Sequence, residues 1–133
     1  MAEGVECACG DAAAPKRVVL VVEDEVLLRT FISDYLRETG FRVIETANAG
    51  EATEVLGSGE PIDFVFTDVN MPGVMDGIML ARWIANNHPS IQVVVTSGQS
   101  AEGLSGAAFF SKPYRFEDIA QRFREMAANS KSS

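Results

Sequence analysis

Five short runs of β-branched and aliphatic residues alternate along the chain with segments whose apolar residues recur at helical spacing. The first run, Val18–Val22, is continuous rather than alternating, which marks a strand covered on both faces. From Val26 to Glu38, apolar side chains fall at Leu27, Leu28, Phe31, Ile32, Tyr35 and Leu36, an amphipathic helical stripe. Gly40 is placed to stop that helix. Phe41–Thr46 is expected as a second strand, and Ala49–Leu56 as a short helix ended by Gly57 and Gly59. Ile62–Thr67 is the third strand. Met71-Pro72-Gly73 opens a loop to Gly77, and Ile78–Asn87 is helical before Pro89. Ile91–Val95 and Ala107–Phe110 complete the strands. A last helix runs from Phe116 to Ala128, with Phe116, Ile119, Ala120, Phe123 and Met126 on one stripe.

Strands separated by helices imply a parallel sheet with right-handed crossovers and helices on both faces. The pattern predicts an α/β, flavodoxin-like, doubly wound five-stranded parallel sheet of order 2-1-3-4-5. One crossover is unusual. Ser97 to Gly106 must join strands four and five, a span in which a crossover and its helix normally need at least about ten to twelve residues. Gly98, Gly103 and Gly106 interrupt it, each costing about 1 kcal/mol relative to alanine inside a helix. Leu104 is its one large apolar anchor. The fourth helix is therefore expected to be shortened or missing, and the segment mobile. Residues 17–128 read as one domain, after a disordered leader at 1–16 and before a tail at 129–133 expected to fray.

Composition narrows the function. A chain of 133 residues, 47% of them hydrophobic, suffices for one core. No apolar stretch approaches the roughly 20 residues that span a bilayer, so no membrane insertion is expected. The formal charge of −8 disfavours direct nucleic acid or anionic membrane binding. Cys7 and Cys9 lie in the leader, and a lone C-x-C cannot complete a four-ligand zinc site. A cytoplasmic protein is the plain expectation.

The candidate chemistry sits where the runs end. Val18–Val22 leads into Glu23-Asp24-Glu25, and the third run into Asp68. The fourth leads into Thr96-Ser97, and the fifth into Ser111-Lys112-Pro113. In an open parallel sheet these ends share one edge, where such folds place their sites. Strands one and three are neighbours in this order, so Glu23, Asp24 and Asp68 meet. Three carboxylates brought together repel unless a cation neutralises them, and Mg²⁺ with oxygen ligands is the abundant choice. The Asn70 carbonyl is placed to add a ligand as the chain turns away. An aspartate beside Mg²⁺ is a nucleophile toward phosphorus. The Lys112 ammonium and Thr96 hydroxyl could then offset the charge of a phosphoryl group.

Taken singly, an acid after a strand is most often a cap, a lysine a surface residue, and Thr-Ser a turn. Their joint order outweighs that. His88, before Pro89, reads as a solvated helix end. Trp83, Met75 and Met79 read as packing or partial cover.

The constellation resembles the receiver domain of two-component response regulators over about Arg17 to Ala128. It does so through Val-Val-Glu-Asp-Glu (21–25), Thr-Asp-Val-Asn-Met-Pro-Gly (67–73), Asp-Gly (76–77), Val-Thr-Ser-Gly (95–98) and Ser-Lys-Pro-Tyr (111–114). The resemblance implies that Asp68 is the phosphoacceptor and that Glu23, Asp24, Asp68 and the Asn70 carbonyl serve Mg²⁺. It implies that Thr96 and Lys112 contact the phosphoryl group, that Thr96 and Phe109 form a switch, and that a cis peptide precedes Pro113. The donor would be a sensor histidine kinase or histidine phosphotransfer protein. With no effector domain expected after Ser133, a separate, unknown downstream protein would read the state, or the chain would be a phosphate sink or shuttle. It would be a signalling phosphoacceptor rather than an enzyme, acting only on its own phosphoryl group. Two departures stand out: one extra residue between Asp68 and Asp76-Gly77, and a short connection from Thr96 to Lys112.

Other classes fit less well. A hydrolase of the haloacid dehalogenase type places its nucleophile in Asp-x-Asp after the first strand, where this chain has Glu23-Asp24. A flavin carrier would need a hydroxyl- and glycine-rich phosphate loop there, and three acids would repel the phosphate. A degenerate receiver acting as an interaction module would have lost polar groups that are all present here.

Overall fold

In the computed structural model the five runs form one parallel sheet of order β2-β1-β3-β4-β5. The structure describes residues 16–70, 73–97 and 108–132. The strands are β1 (Val18–Val22), β2 (Arg42–Thr46), β3 (Phe64–Asp68), β4 (Gln92–Ser97) and β5 (Ala108–Ser111). The helices are α1 (Val26–Glu38), α2 (Ala49–Gly57), α3 (Gly77–Asn87) and α4 (Phe116–Ser132). The expected leader with Cys7 and Cys9, and the connection expected to hold a shortened or missing helix, lie outside the described residues.

The period-two alternation of each strand divides the core into two layers. Val19, Val21, Phe64, Phe66 and Val94 face α1 and α4, meeting Ile32, Leu36, Ile119, Ala120, Phe123 and Met126. Leu20, Val22, Val65, Val93 and Val95 face α2 and α3, meeting Ala49, Ala52, Leu56, Leu80, Ala81 and Ile84. Both faces are covered, so β1 carries no polar position and is buried throughout. Phe41, Phe64 and Phe123 pack as an aromatic trio with centroids 5.0 to 6.3 Å apart. Burying each such side chain stabilises the fold by roughly 1.5–3 kcal/mol.

Local signals set the helix ends. Asn48 caps α2 by accepting from the Glu51 amide at 2.9 Å, while the Glu51 carboxylate accepts from the Ala47 amide at 2.7 Å. The Asp76 side chain caps α3 by accepting from the Met79 amide at 2.9 Å. Two features differ from the sequence pattern. The apolar stripe of α1 is wider than the face the sheet covers. Ile32 and Leu36 are buried, whereas Val26, Leu27 and Phe31 are more than half exposed. The backbone of α4 continues to Ser132, past Ala128 where its apolar periodicity stops. Among the described residues no helix is long and apolar enough to cross a membrane.

Candidate functional site

Register decides which strand ends meet. β1 pairs with β3 up to Val22 opposite Thr67, so the next residues, Glu23 and Asp68, emerge side by side. Asp68 is opposite Thr96 on β4, and Ser97 is opposite Ser111 on β5, one residue before Lys112. Carboxylate oxygens of Glu23, Asp24 and Asp68 lie within 4.8 Å of one another. Glu23 and Asp68 are buried and Asp24 is exposed.

Glu23 is fixed on several sides. Its amide donates to the Thr46 carbonyl at 3.1 Å and its carbonyl accepts from Arg29 Nη1 at 2.8 Å. Its Oε2 accepts from the Glu25 amide at 3.1 Å, while Oε1 is buried with no hydrogen-bond partner. Burial pushes its carboxyl up to about 7, the Glu25 amide opposes the shift, and the Asp68 charge reinforces it. An orphaned buried carboxylate oxygen beside two further acids fits the oxygen donor set of a hard divalent cation.

Asp68 also faces a cation. Its Oδ2 accepts from Lys112 Nζ at 2.9 Å, and its Oδ1 from the Asn70 amide at 3.4 Å. Burial draws the Lys112 ammonium down, but the hydrogen bond and charge of Asp68, then the charge of Glu23, outweigh it and hold the group above its ordinary value. The Lys112 amide donates to the Ser97 carbonyl at 2.7 Å, which ties the loop after β5 to β4. The Lys112–Pro113 peptide is cis.

Thr96 is fully buried and its hydroxyl has no hydrogen-bond partner. Phe109 is half-buried and opposite Val95, while its neighbour Phe110 is opposite Thr96. Asn70 is exposed at the start of the following loop. The structure therefore brings Glu23, Asp24, Asp68, Thr96 and Lys112 to one edge of the sheet. His88 ends α3 with its ring 5.5 Å from Trp83, away from that edge.

Two contributors escaped sequence reasoning. Gly77 sits so close to β3 that a Cβ there would lie 2.1 Å from the Asp68 carbonyl oxygen, and its amide donates to the Val69 carbonyl at 2.9 Å. The Asp-Gly pair carried a signal: aspartate caps a helix, but the first helical position gains nothing from glycine unless space is short. Tyr114 packs its ring against Phe66 at 5.9 Å, beneath the acids, with its hydroxyl buried. In the sequence it is only the last residue of Ser-Lys-Pro-Tyr.

The Glu23 environment sets a pH dependence. Its carboxyl titrates at about 7 in the fold against an ordinary 4.5. Its share of stability is therefore full below about 4.5 and is lost as pH rises through about 7. Divalent binding requires the ionised form, so affinity runs the other way. Apparent Mg²⁺ affinity by calorimetry should rise up to about tenfold per pH unit toward pH 7 and level above it. Glu23→Gln should flatten that rise. A wild-type affinity constant between about pH 5.5 and 8 would contradict the assignment of Glu23.

Comparison with known proteins gives the same direction. The response regulator receiver domain model matches residues 19–124. The transcriptional regulatory protein PdtaR of Mycobacterium tuberculosis is 34% identical over 131 residues, covering 89% of this chain. The chain spans 63% of that relative's length. The response regulator receiver protein CpdR of Brucella abortus is 30% identical over 115 residues, covering 81% of this chain and 94% of CpdR. The response regulator TrrA of Thermotoga maritima, solved in complex with Mg²⁺-BeF, superposes with a TM-score of 0.75 at 24% identity. That superposition covers 82% of this chain and 97% of TrrA and establishes the fold. A 2-1-3-4-5 sheet with its acids, hydroxyl and lysine on one edge, matched along residues 19–124, makes this chain a member of the response regulator receiver domain family, the phosphoacceptor signalling domains of two-component systems.

Proposed function

We propose that Asp68 accepts a phosphoryl group from a phosphohistidine on a sensor histidine kinase or histidine phosphotransfer protein in a Mg²⁺-dependent reaction. The observation that carries this reading is a buried Asp68 paired at 2.9 Å with Lys112 and flanked by Glu23 and Asp24. In the transfer an Asp68 carboxylate oxygen forms a bond to phosphorus as the phosphorus–nitrogen bond to histidine breaks. The imidazole nitrogen keeps that electron pair. Glu23, Asp24, Asp68 and the Asn70 carbonyl would hold Mg²⁺, which when bound neutralises the acids and the phosphoryl oxygens. Lys112 already neutralises one Asp68 oxygen and supplies positive charge to the incoming group. The Thr96 hydroxyl donates to a phosphoryl oxygen, satisfying a group that has no partner in the resting chain.

Val26, Leu27 and Phe31 leave an apolar patch on the helix that begins just after Asp24. A phosphodonor helix docking there would bring its histidine over Asp68. Thr96 and Phe109 are the two-state elements, and a separate protein reads them, or the chain acts as a phosphate sink or shuttle. A cytoplasmic setting suits such partners.

Acetyl phosphate with Mg²⁺, followed by intact mass and borohydride trapping, tests the reading. We expect one phosphoryl group, trapped at Asp68, and beryllofluoride-induced NMR shifts at Thr96 and Phe109. Modification elsewhere, or none, rules against it.

A further inference from the structure

Phe109 lacks a hydroxyl, yet a second hydroxyl does reach the buried side of the site. Tyr114 follows β5 and packs its ring between Phe66 at 5.9 Å and Phe116 at 6.2 Å. Phe66 lies on the same face of β3 as Asp68, two residues earlier, so the tyrosine sits directly under the acid cluster. Its hydroxyl is buried and has no hydrogen-bond partner, and the same is true of the Thr96 hydroxyl. The Thr96 hydroxyl acts on the Tyr114 phenol, which brings the two side by side. Two unpaired buried hydroxyls side by side are unusual, because each forgoes the hydrogen bonds it would make in water.

We propose that Tyr114 is a positioning residue for Thr96: its hydroxyl donates to Thr96 Oγ1, leaving the threonine proton directed at the phosphoryl group on Asp68. A hydroxyl has one donor and two acceptor lone pairs, so Thr96 can accept from Tyr114 and donate to a phosphoryl oxygen at once. Hydrogen bonds in such a chain polarise one another. Tyr114 suits the donor end. Burial, then the charges of Glu23 and Asp68, push its phenol well above the ordinary value, and the Thr96 hydroxyl opposes this only in part. The phenol therefore keeps its proton throughout the physiological range.

This inference rests on Asp68 being the phosphoacceptor, and beryllium fluoride with Mg²⁺ separates the two ideas. Tyr114→Phe retains the ring and its packing and removes only the hydroxyl. Its dissociation constant for beryllofluoride should rise about five- to tenfold, the value of one hydrogen bond, with Mg²⁺ affinity and the urea midpoint unchanged. In a Thr96→Val background the same substitution should have no further effect, since its acceptor is gone. Beryllofluoride affinity equal to wild type in Tyr114→Phe, or an equal loss in the Thr96→Val background, overturns the role of Tyr114 alone. Failure of the wild-type chain to bind beryllofluoride overturns the Asp68 reading and this one with it.

Discussion

Incubated with acetyl phosphate and Mg²⁺, the Asp68→Asn chain is expected to gain no phosphoryl mass under conditions where the wild type gains one group. The amide offers no anionic oxygen to attack phosphorus, so the covalent step is lost rather than slowed. Folding should be little affected, because two electrostatic changes oppose each other. The substitution removes the pairing with Lys112, in which the Asp68 side chain is 7% and the lysine 34% exposed; water at the lysine end screens the pair and limits the loss to about 1 kcal/mol. It also removes a negative charge that raises the Glu23 carboxyl. The amide oxygen can still accept from Lys112. Urea unfolding should therefore place the variant within about 1 kcal/mol of wild type, with a lowered Glu23 titration by NMR. Phosphoryl transfer to the variant at the wild-type rate would show that Asp68 is not the acceptor.

Gly77→Ala is expected to damage both fold and site. A Cβ at this position would stand 2.1 Å from the Asp68 carbonyl oxygen and 2.8 Å from the Asp68 carbonyl carbon and Val69 Cα. All three are backbone atoms at the end of a central strand, so no side chain can swing aside. Either α3 must lift, losing the Gly77–Val69 hydrogen bond of 2.9 Å, or the end of β3 must move and carry Asp68 away from Lys112. Overpacking of this kind costs about 3 kcal/mol. The urea midpoint should fall with an unchanged slope, and phosphorylation should fall with it. Gly57→Ala is the control: a Cβ there meets nothing within 4 Å, and its midpoint should hold. Equal midpoints for the two variants would mean that the close approach of α3 to β3 does not constrain the fold.

Much of this architecture could be read from pattern because it follows from local rules. Continuous apolar runs become doubly covered strands, and the helical stripes of α2, α3 and α4 match the faces that pack on the sheet. That Glu23, Asp24, Asp68, Thr96 and Lys112 converge was legible because each lies at or just past the end of a strand, and parallel strands deliver their ends to one edge. In α1 the pattern overreached. Leu27 and Phe31 have helical spacing, yet both are exposed, because periodicity gives a stripe but not how much of it a sheet will cover.

Element types, strand order and family follow from spacing along the chain and can be read before it folds. How groups distant in sequence affect one another is set when the chain packs. Glu23 titrates near neutrality because folding buries it beside Asp68. Gly77 is required because α3 starts against the end of β3. Tyr114 comes to lie beneath the acids because the chain after β5 returns against Phe66. Distance, burial and steric exclusion are properties of the packed chain, and local pattern does not encode them.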